Sequence, residues 1–91
     1  MLEARWESEA REQLDTIIQY IRDHNVPAAE TMERAFRTSV ERLRHMPLIG
    51  RPGRVSGSRE WVVHPNYLLI YRVAEETIDI VRVLHARQQY P

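Results

Sequence analysis

The segment Arg59-Glu-Trp-Val-Val-His-Pro-Asn-Tyr-Leu-Leu-Ile-Tyr-Arg-Val-Ala74, continued by Thr77-Ile-Asp-Ile-Val-Arg-Val-Leu-His-Ala-Arg-Gln-Gln-Tyr-Pro91, carries three runs rich in β-branched and aromatic residues. Pro65-Asn66 separates the first two runs and suits the centre of a tight turn, so residues 59–64 and 67–74 are expected to form a β-hairpin. In the second run Tyr67, Leu69, Tyr71 and Val73 alternate with Leu68, Ile70 and Arg72. Successive strand side chains point to opposite faces, and a run that is apolar on both belongs in the middle of a sheet. Glu75-Glu76 supplies the next turn. Beyond it Ile78, Ile80, Val81, Val83 and Leu84 make residues 77–86 a further, largely buried strand.

Upstream of the hairpin, every glycine of the chain, Gly50, Gly53 and Gly57, falls within residues 47–58 together with Arg51, Pro52 and Arg54. Such punctuation marks a loop or a meandering approach to a strand. Two amphipathic periodicities precede it. Ala10, Leu14, Ile17, Ile18 and Ile21 recur at helical spacing opposite Arg11, Asp15, Gln19 and Arg22. Ser8 offers an N-cap, Glu9 and Glu12 suit the positive end of the helix, and a stop is expected near His24 and Asn25. Pro27 sits where a second helix begins, since its missing N–H costs nothing in a first turn. Ala28, Met32, Ala35, Phe36, Ser39, Val40, Leu43 and Met46 then repeat every three or four residues. A connection of about three residues forces the two helices antiparallel. Residues 2–6 alternate apolar and charged side chains and read as a short strand. The expected architecture is α+β, in the order β-α-α-β-β-β: an N-terminal strand, then an antiparallel helical hairpin at about 8–46 packed on one face of a small, mostly antiparallel sheet. The arginine- and glycine-bearing loop covers 47–58, the C-terminal sheet 59–87, and the whole of 1–91 reads as one domain.

A chain of 91 residues buries only about 60 to 65% of the surface it exposes when unfolded, so a partner has room to add stability. Apolar residues at 43% and charged residues at 29% are ordinary for a globular protein and argue against disorder. With no cysteine, disulfides and thiolate metal sites are excluded. The four histidines are scattered without ligand spacing, so neither metal nor cofactor is expected. No apolar run approaches the roughly 20 residues of a membrane span, and the acidic N-terminus, with Glu3, Glu7, Glu9 and Glu12, lacks the layout of a signal peptide. A cytoplasmic location is expected.

The balanced charge hides an asymmetry. Residues 1–41 hold nine acids and five bases, residues 42–91 four acids and eight bases, and all thirteen cations are arginine. The C-terminal half is therefore the candidate for meeting an anion. Arg51, Arg54, Arg59, Arg72, Arg82 and Arg87 are the candidate contacts, with His64, His85 and Tyr90 expected nearby on the sheet face or edge away from the helices. A cationic surface with aromatics fits a nucleic-acid backbone. The plainer reading is that each arginine pairs with a local acid or is solvated. A histidine and a phenol beside arginines also have the equipment for acid-base chemistry on a 2′-hydroxyl, while the plainer reading of His85 is a strand end held by a backbone hydrogen bond. No nucleophilic triad or elbow surrounds Ser56 or Ser58.

The order of elements, the Met46-Pro47-x-x-Gly50-Arg51 link, Ser58-Arg59-Glu60, His64-Pro65-Asn66-Tyr67, Ile70-Tyr71-Arg72-Val73 and the Val83-Leu84-His85-Ala86-Arg87 ending together resemble the RelE/ParE superfamily of bacterial toxins. The resemblance covers nearly the whole chain. It implies the toxin of a type II toxin-antitoxin pair, in a hetero-oligomer with an antitoxin that covers the apolar helical hairpin and an open sheet edge. Leu14, Ile18, Ile21, Met32, Phe36 and Trp61 are the residues expected to meet it. Two activities occur in the superfamily: RelE-like members cut mRNA on the ribosome, and ParE-like members poison DNA gyrase. RelE-like nucleases carry cations at places that align here with Glu60, Val62, Leu68 and Ala86, and only Tyr90 matches. Aliphatic and acidic side chains cannot stabilise a charged phosphoryl transition state, so the resemblance leans to gyrase inhibition by binding. The alternative is an endoribonuclease using His85, Arg87, Tyr90, Arg51 and Arg54, or an inactive relative.

Overall fold

A computed structural model describes residues 1–88 and 90. Its elements are β1 (Glu3–Trp6), α1 (Ser8–His24), α2 (Val26–His45), β2 (Arg51–Pro52), β3 (Arg59–His64), β4 (Tyr67–Val73) and β5 (Thr77–His85). They build one sheet in the order β1-β5-β4-β3-β2, in which β1 runs parallel to β5 and the other pairs are antiparallel. The strand apolar on both faces, β4, takes the centre, as its alternation demands. A register shift between Ile70 and Tyr71 pairs Ile70 with Arg82 and Tyr71 with Ile80, leaving Val81 as an extra residue. That extra residue lets Ile80 and Val83 both reach the helix-covered side.

The helices lie on one face. Ala10, Leu14 and Ile18 of α1 and Ala29, Phe36, Val40 and Leu43 of α2 close over Leu69, Tyr71, Ile78, Ile80 and Val83. A second, small cluster of Ile70, Leu84 and Tyr90, with Val55 against it, occupies the opposite face. The loop before β3 and the tail after β5 therefore fold back across the side that the helices leave bare.

Three local features depart from the sequence reading. The helices are joined by Asn25 alone rather than by about three residues. Asn25 is extended, donates its N–H to Ile21 O at 2.7 Å and accepts the Ala28 N–H on its side chain at 3.0 Å, so one residue ends α1 and caps α2. Ser8 is not the cap of α1. That position belongs to Glu7, which makes no side-chain cap bond and instead gives its backbone N–H to Ile80 O at 3.0 Å, tying the helix start to β5. Finally, the glycine-bearing segment contains the two-residue strand β2 on the sheet edge.

Tyr71 fixes the passage from α2 to β2. Its hydroxyl accepts the Gly50 N–H at 3.0 Å and donates to Pro47 O at 2.7 Å in a fully buried setting. Burial pushes its phenol above the usual value of 10.0, opposed in part by the Gly50 bond and by the nearby Arg59 guanidinium. Gly50 must lack a Cβ here, since one would strike the Tyr71 hydroxyl and lie 2.8 Å from the Glu60 carbonyl. At the other border of the sheet, β5 runs past the end of β1, and the Gln13 side chain of α1 accepts the Val83 N–H at 2.7 Å. None of the described helices is long and apolar enough to cross a membrane.

Candidate functional site

On the face away from the helices, the pairing of β2 with β3 sets Arg51 directly across from Glu60. Cross-strand partners share a face, so the guanidinium lies over the carboxylate, and Arg51 Nε donates to Glu60 Oε1 at 2.8 Å. Glu60 is only 4% exposed, whereas Arg51 and Arg54 are 60% and 52% exposed. Arg54 Nε lies 4.0 Å from the second carboxylate oxygen, Oε2, which is buried and has no hydrogen-bond partner among the described residues. The Arg54 guanidinium stacks 4.9 Å above the Tyr90 ring and reaches Tyr90 O at 3.4 Å. Tyr90 is itself buried against Ile70 and Leu84. The structure thus gathers Arg51, Arg54 and Tyr90 from the candidate set, and gathers them around an acid.

Three of the four remaining candidate arginines are engaged elsewhere. Arg59 donates to Gly50 O at 2.8 Å and Leu48 O at 3.3 Å, bracing the segment before β2. Arg72 holds Ser56 O at 3.1 Å, and Arg82 reaches across the β5 edge to Glu9 at 2.9 Å. Arg87 is exposed and makes no ion pair among the described residues. Of these four, Arg82 pairs with an acid, Arg59 and Arg72 donate to backbone carbonyls, and Arg87 is solvated.

His64 and His85 do not join that cluster. They flank Tyr67 at 6.3 and 5.4 Å between ring centroids, and Tyr67 in turn meets Phe36 at 6.2 Å on the helix side. His85 Nδ1 accepts the Arg87 N–H and His64 Nδ1 the Asn66 N–H, each at 3.1 Å. A neutral ring bonded in this way keeps its proton on Nε2 and presents a donor, not a base. Among the described residues no three metal-ligating side chains come together.

The apolar residues expected to meet a partner are placed differently from an exposed hairpin stripe. Leu14, Ile18 and Phe36 are buried in the core, and Ile21, Met32 and Trp61 are half-buried against it. The apolar stripes of the hairpin face the sheet, which covers them. A groove of about 400 Å³ opens between α1, α2 and β1, with half-buried Trp6 on its wall and the core residues Leu14, Ile18, Phe36 and Val40 at its base. Its rim is charged and largely self-paired: Arg44 with Glu41 at 2.8 Å, Arg37 with Glu33 at 3.9 Å, and Arg11 stacked 4.7 Å over Trp6. Periodicity could not have found the groove, because its walls come from two helices and an edge strand brought together only by the fold.

Residues 4–90 match the family described as ParE toxin of type II toxin-antitoxin system, parDE. The chain is 36% identical over 88 residues to Y4kP of Sinorhizobium fredii, a protein bearing a toxin designation, covering 96% of this chain and 91% of that one. It is 34% identical over 86 residues to toxin RelE2 of Caulobacter vibrioides, covering 94% and 97%. Among solved structures, a chain of the chromosomal ParDE system of P. aeruginosa superimposes with a TM-score of 0.80 at 24% identity, covering 93% of this chain and 96% of that one. A chain of the E. coli DinJ-YafQ complex has the same fold, with a TM-score of 0.68 at 15% identity and 93% of each chain covered.

Proposed function

The chain belongs to the ParE toxin family of type II toxin-antitoxin systems, and from that premise we propose that it arrests growth by capturing DNA gyrase, not by cutting RNA. One observation supports this reading above the others: the arginines best placed to serve as phosphate contacts, Arg51 and Arg54, share a buried glutamate. A ribonuclease needs free positive charge at the scissile phosphate and a group able to take a proton from the 2′-hydroxyl. Here the acid offsets one of the two cations and sits between them, the phenol of Tyr90 is packed away, and the accepting nitrogen of His85 is occupied by a backbone N–H. A binding toxin needs none of these groups free.

The partner that silences it is a cognate antitoxin, as in the toxin-antitoxin complexes of its structural relatives. The groove between α1, α2 and β1 is the seat for an antitoxin segment with an apolar side chain, because Trp6 and the core residues at its base offer apolar contact while Arg37 and Arg44 on its rim are already paired with Glu33 and Glu41. The toxin acts in the cytoplasm, where both gyrase and ribosomes are found. Purified protein added to gyrase and plasmid should block supercoiling or accumulate linear DNA, and antitoxin should reverse the effect. Intact supercoiling together with cleavage of ribosome-bound mRNA would instead establish the nuclease reading.

A further inference from the structure

Glu60 lies where two guanidiniums converge, and the fold gives it no way out. It sits on β3 between β2 and β4, is 4% exposed, and directs Oε1 to Arg51 at 2.8 Å and Oε2 toward Arg54 at 4.0 Å. A carboxylate and a phosphate offer arginine the same kind of two-oxygen edge, which is why guanidinium forks bind both. We propose that Arg51 and Arg54 form a phosphate clamp that Glu60 keeps filled from within, so that the native chain binds no phosphate there and gains that ability when the carboxylate is neutralised.

Three features carry the proposal. The clamp is only partly satisfied: each guanidinium has five N–H donors, both side chains are more than half exposed, and Oε2 remains without a hydrogen bond among the described residues. Most donors therefore face outward, toward where a ligand would approach. The clamp is also held in place, since the Arg54 plane rests on the Tyr90 ring at 4.9 Å and Arg51 projects from a paired strand. Lastly, the charge is poised. Two cations against one fixed anion leave one positive charge; an incoming phosphate meets a like charge at short range, whereas with a neutral amide in place of Glu60 it meets two unopposed cations.

The test uses the full chain in four forms: wild type, Glu60→Gln, Glu60→Ala and the double variant Glu60→Gln with Arg54→Ala. Inorganic phosphate is titrated by calorimetry, and a labelled single-stranded RNA by anisotropy over a range of salt. Glu60→Gln should bind phosphate about tenfold or more tightly than wild type, and the double variant should lose that gain. If RNA affinity rises too, with a salt slope steeper by about 0.7 per added contact, the clamp takes a phosphodiester; an unchanged slope assigns it to free phosphate. Equal phosphate binding by wild type and Glu60→Gln, or a gain that survives loss of Arg54, overturns the proposal. So does failure of both Glu60 variants to fold, because the acid would then be a structural tie and not a removable occupant. The result does not depend on the gyrase reading, since no arm of the experiment contains gyrase.

Discussion

Tyr71 shows how one side chain can hold two elements together. Its hydroxyl joins Gly50 N–H and Pro47 O, and Tyr71→Phe leaves both of these backbone groups without that partner, which should cost about 1–3 kcal/mol. For a domain of this size the thermal midpoint should fall by about 5–15 °C, readable by calorimetry. The effect should vary with pH in a defined direction. Burial raises this phenol above 10.0, so the folded chain keeps a proton that the unfolded chain releases, and its contribution is intact below pH 10 and lost as pH climbs through the raised value. The stability gap between wild type and Tyr71→Phe should therefore narrow in alkaline buffer, and a gap that stays constant above pH 10 would show that the phenol does not titrate with folding. Arg51→Ala strands a buried carboxylate oxygen. Because Arg51 is itself mostly solvated, the loss should be about 1–2 kcal/mol, below that of a fully buried pair. In a Glu60→Gln background the same change should be nearly silent in urea unfolding, which is the signature of a direct pair in a double-mutant cycle.

Between elements, the junctions rest on single polar side chains, whereas the layers rest on apolar packing. Gln13→Ala removes the acceptor for Val83 N–H, so that amide should exchange faster and stability should drop by about 1–3 kcal/mol. Phe36→Ala empties a site on the core face of α2 that is 1% exposed, and about 3–5 kcal/mol should be lost. For antitoxin binding, the groove makes a sharper prediction than the hairpin as a whole. Hydrogen exchange should slow along the facing turns of α1 and α2 and on β1 when antitoxin is added, and uniform protection spread over the outer helix faces would place the partner elsewhere. The helical hairpin and the β3–β4 hairpin were both legible from residue spacing, because each depends on contacts within a few positions. The single-residue connection at Asn25 was not, since it depends on one side chain capping while its own backbone closes the preceding turn.

For the whole molecule, an acidic N-terminal half packs on a C-terminal half rich in arginine, and several ion pairs cross between them. Arg82 with Glu9 and Arg5 with Asp79 join β5 to the N-terminal elements, at 2.9 and 3.4 Å. The Arg82–Glu9 pair consumes one of the charges that composition alone assigns to an anion-binding surface. If the toxin works by capture, His85→Ala should retain growth arrest and gyrase inhibition, because its ring lies beside Tyr67 and outside the arginine cluster. Loss of arrest with gyrase inhibition unchanged would reveal a second activity.

The sequence by itself determined the two helices, the central β4, the turn at Pro65-Asn66 and the family, because period, punctuation and motif order are local properties of the chain. Only the tertiary structure decided which arginines are free to act. Arg51 and Glu60 are nine positions apart and become partners solely through the β2–β3 register, while Tyr90 joins Arg54 across 36 positions when the tail folds over the sheet. Electrostatic pairing acts over a few ångströms in space, whatever the separation along the chain, so the sign of the surface at this site was fixed by strand register and not by composition.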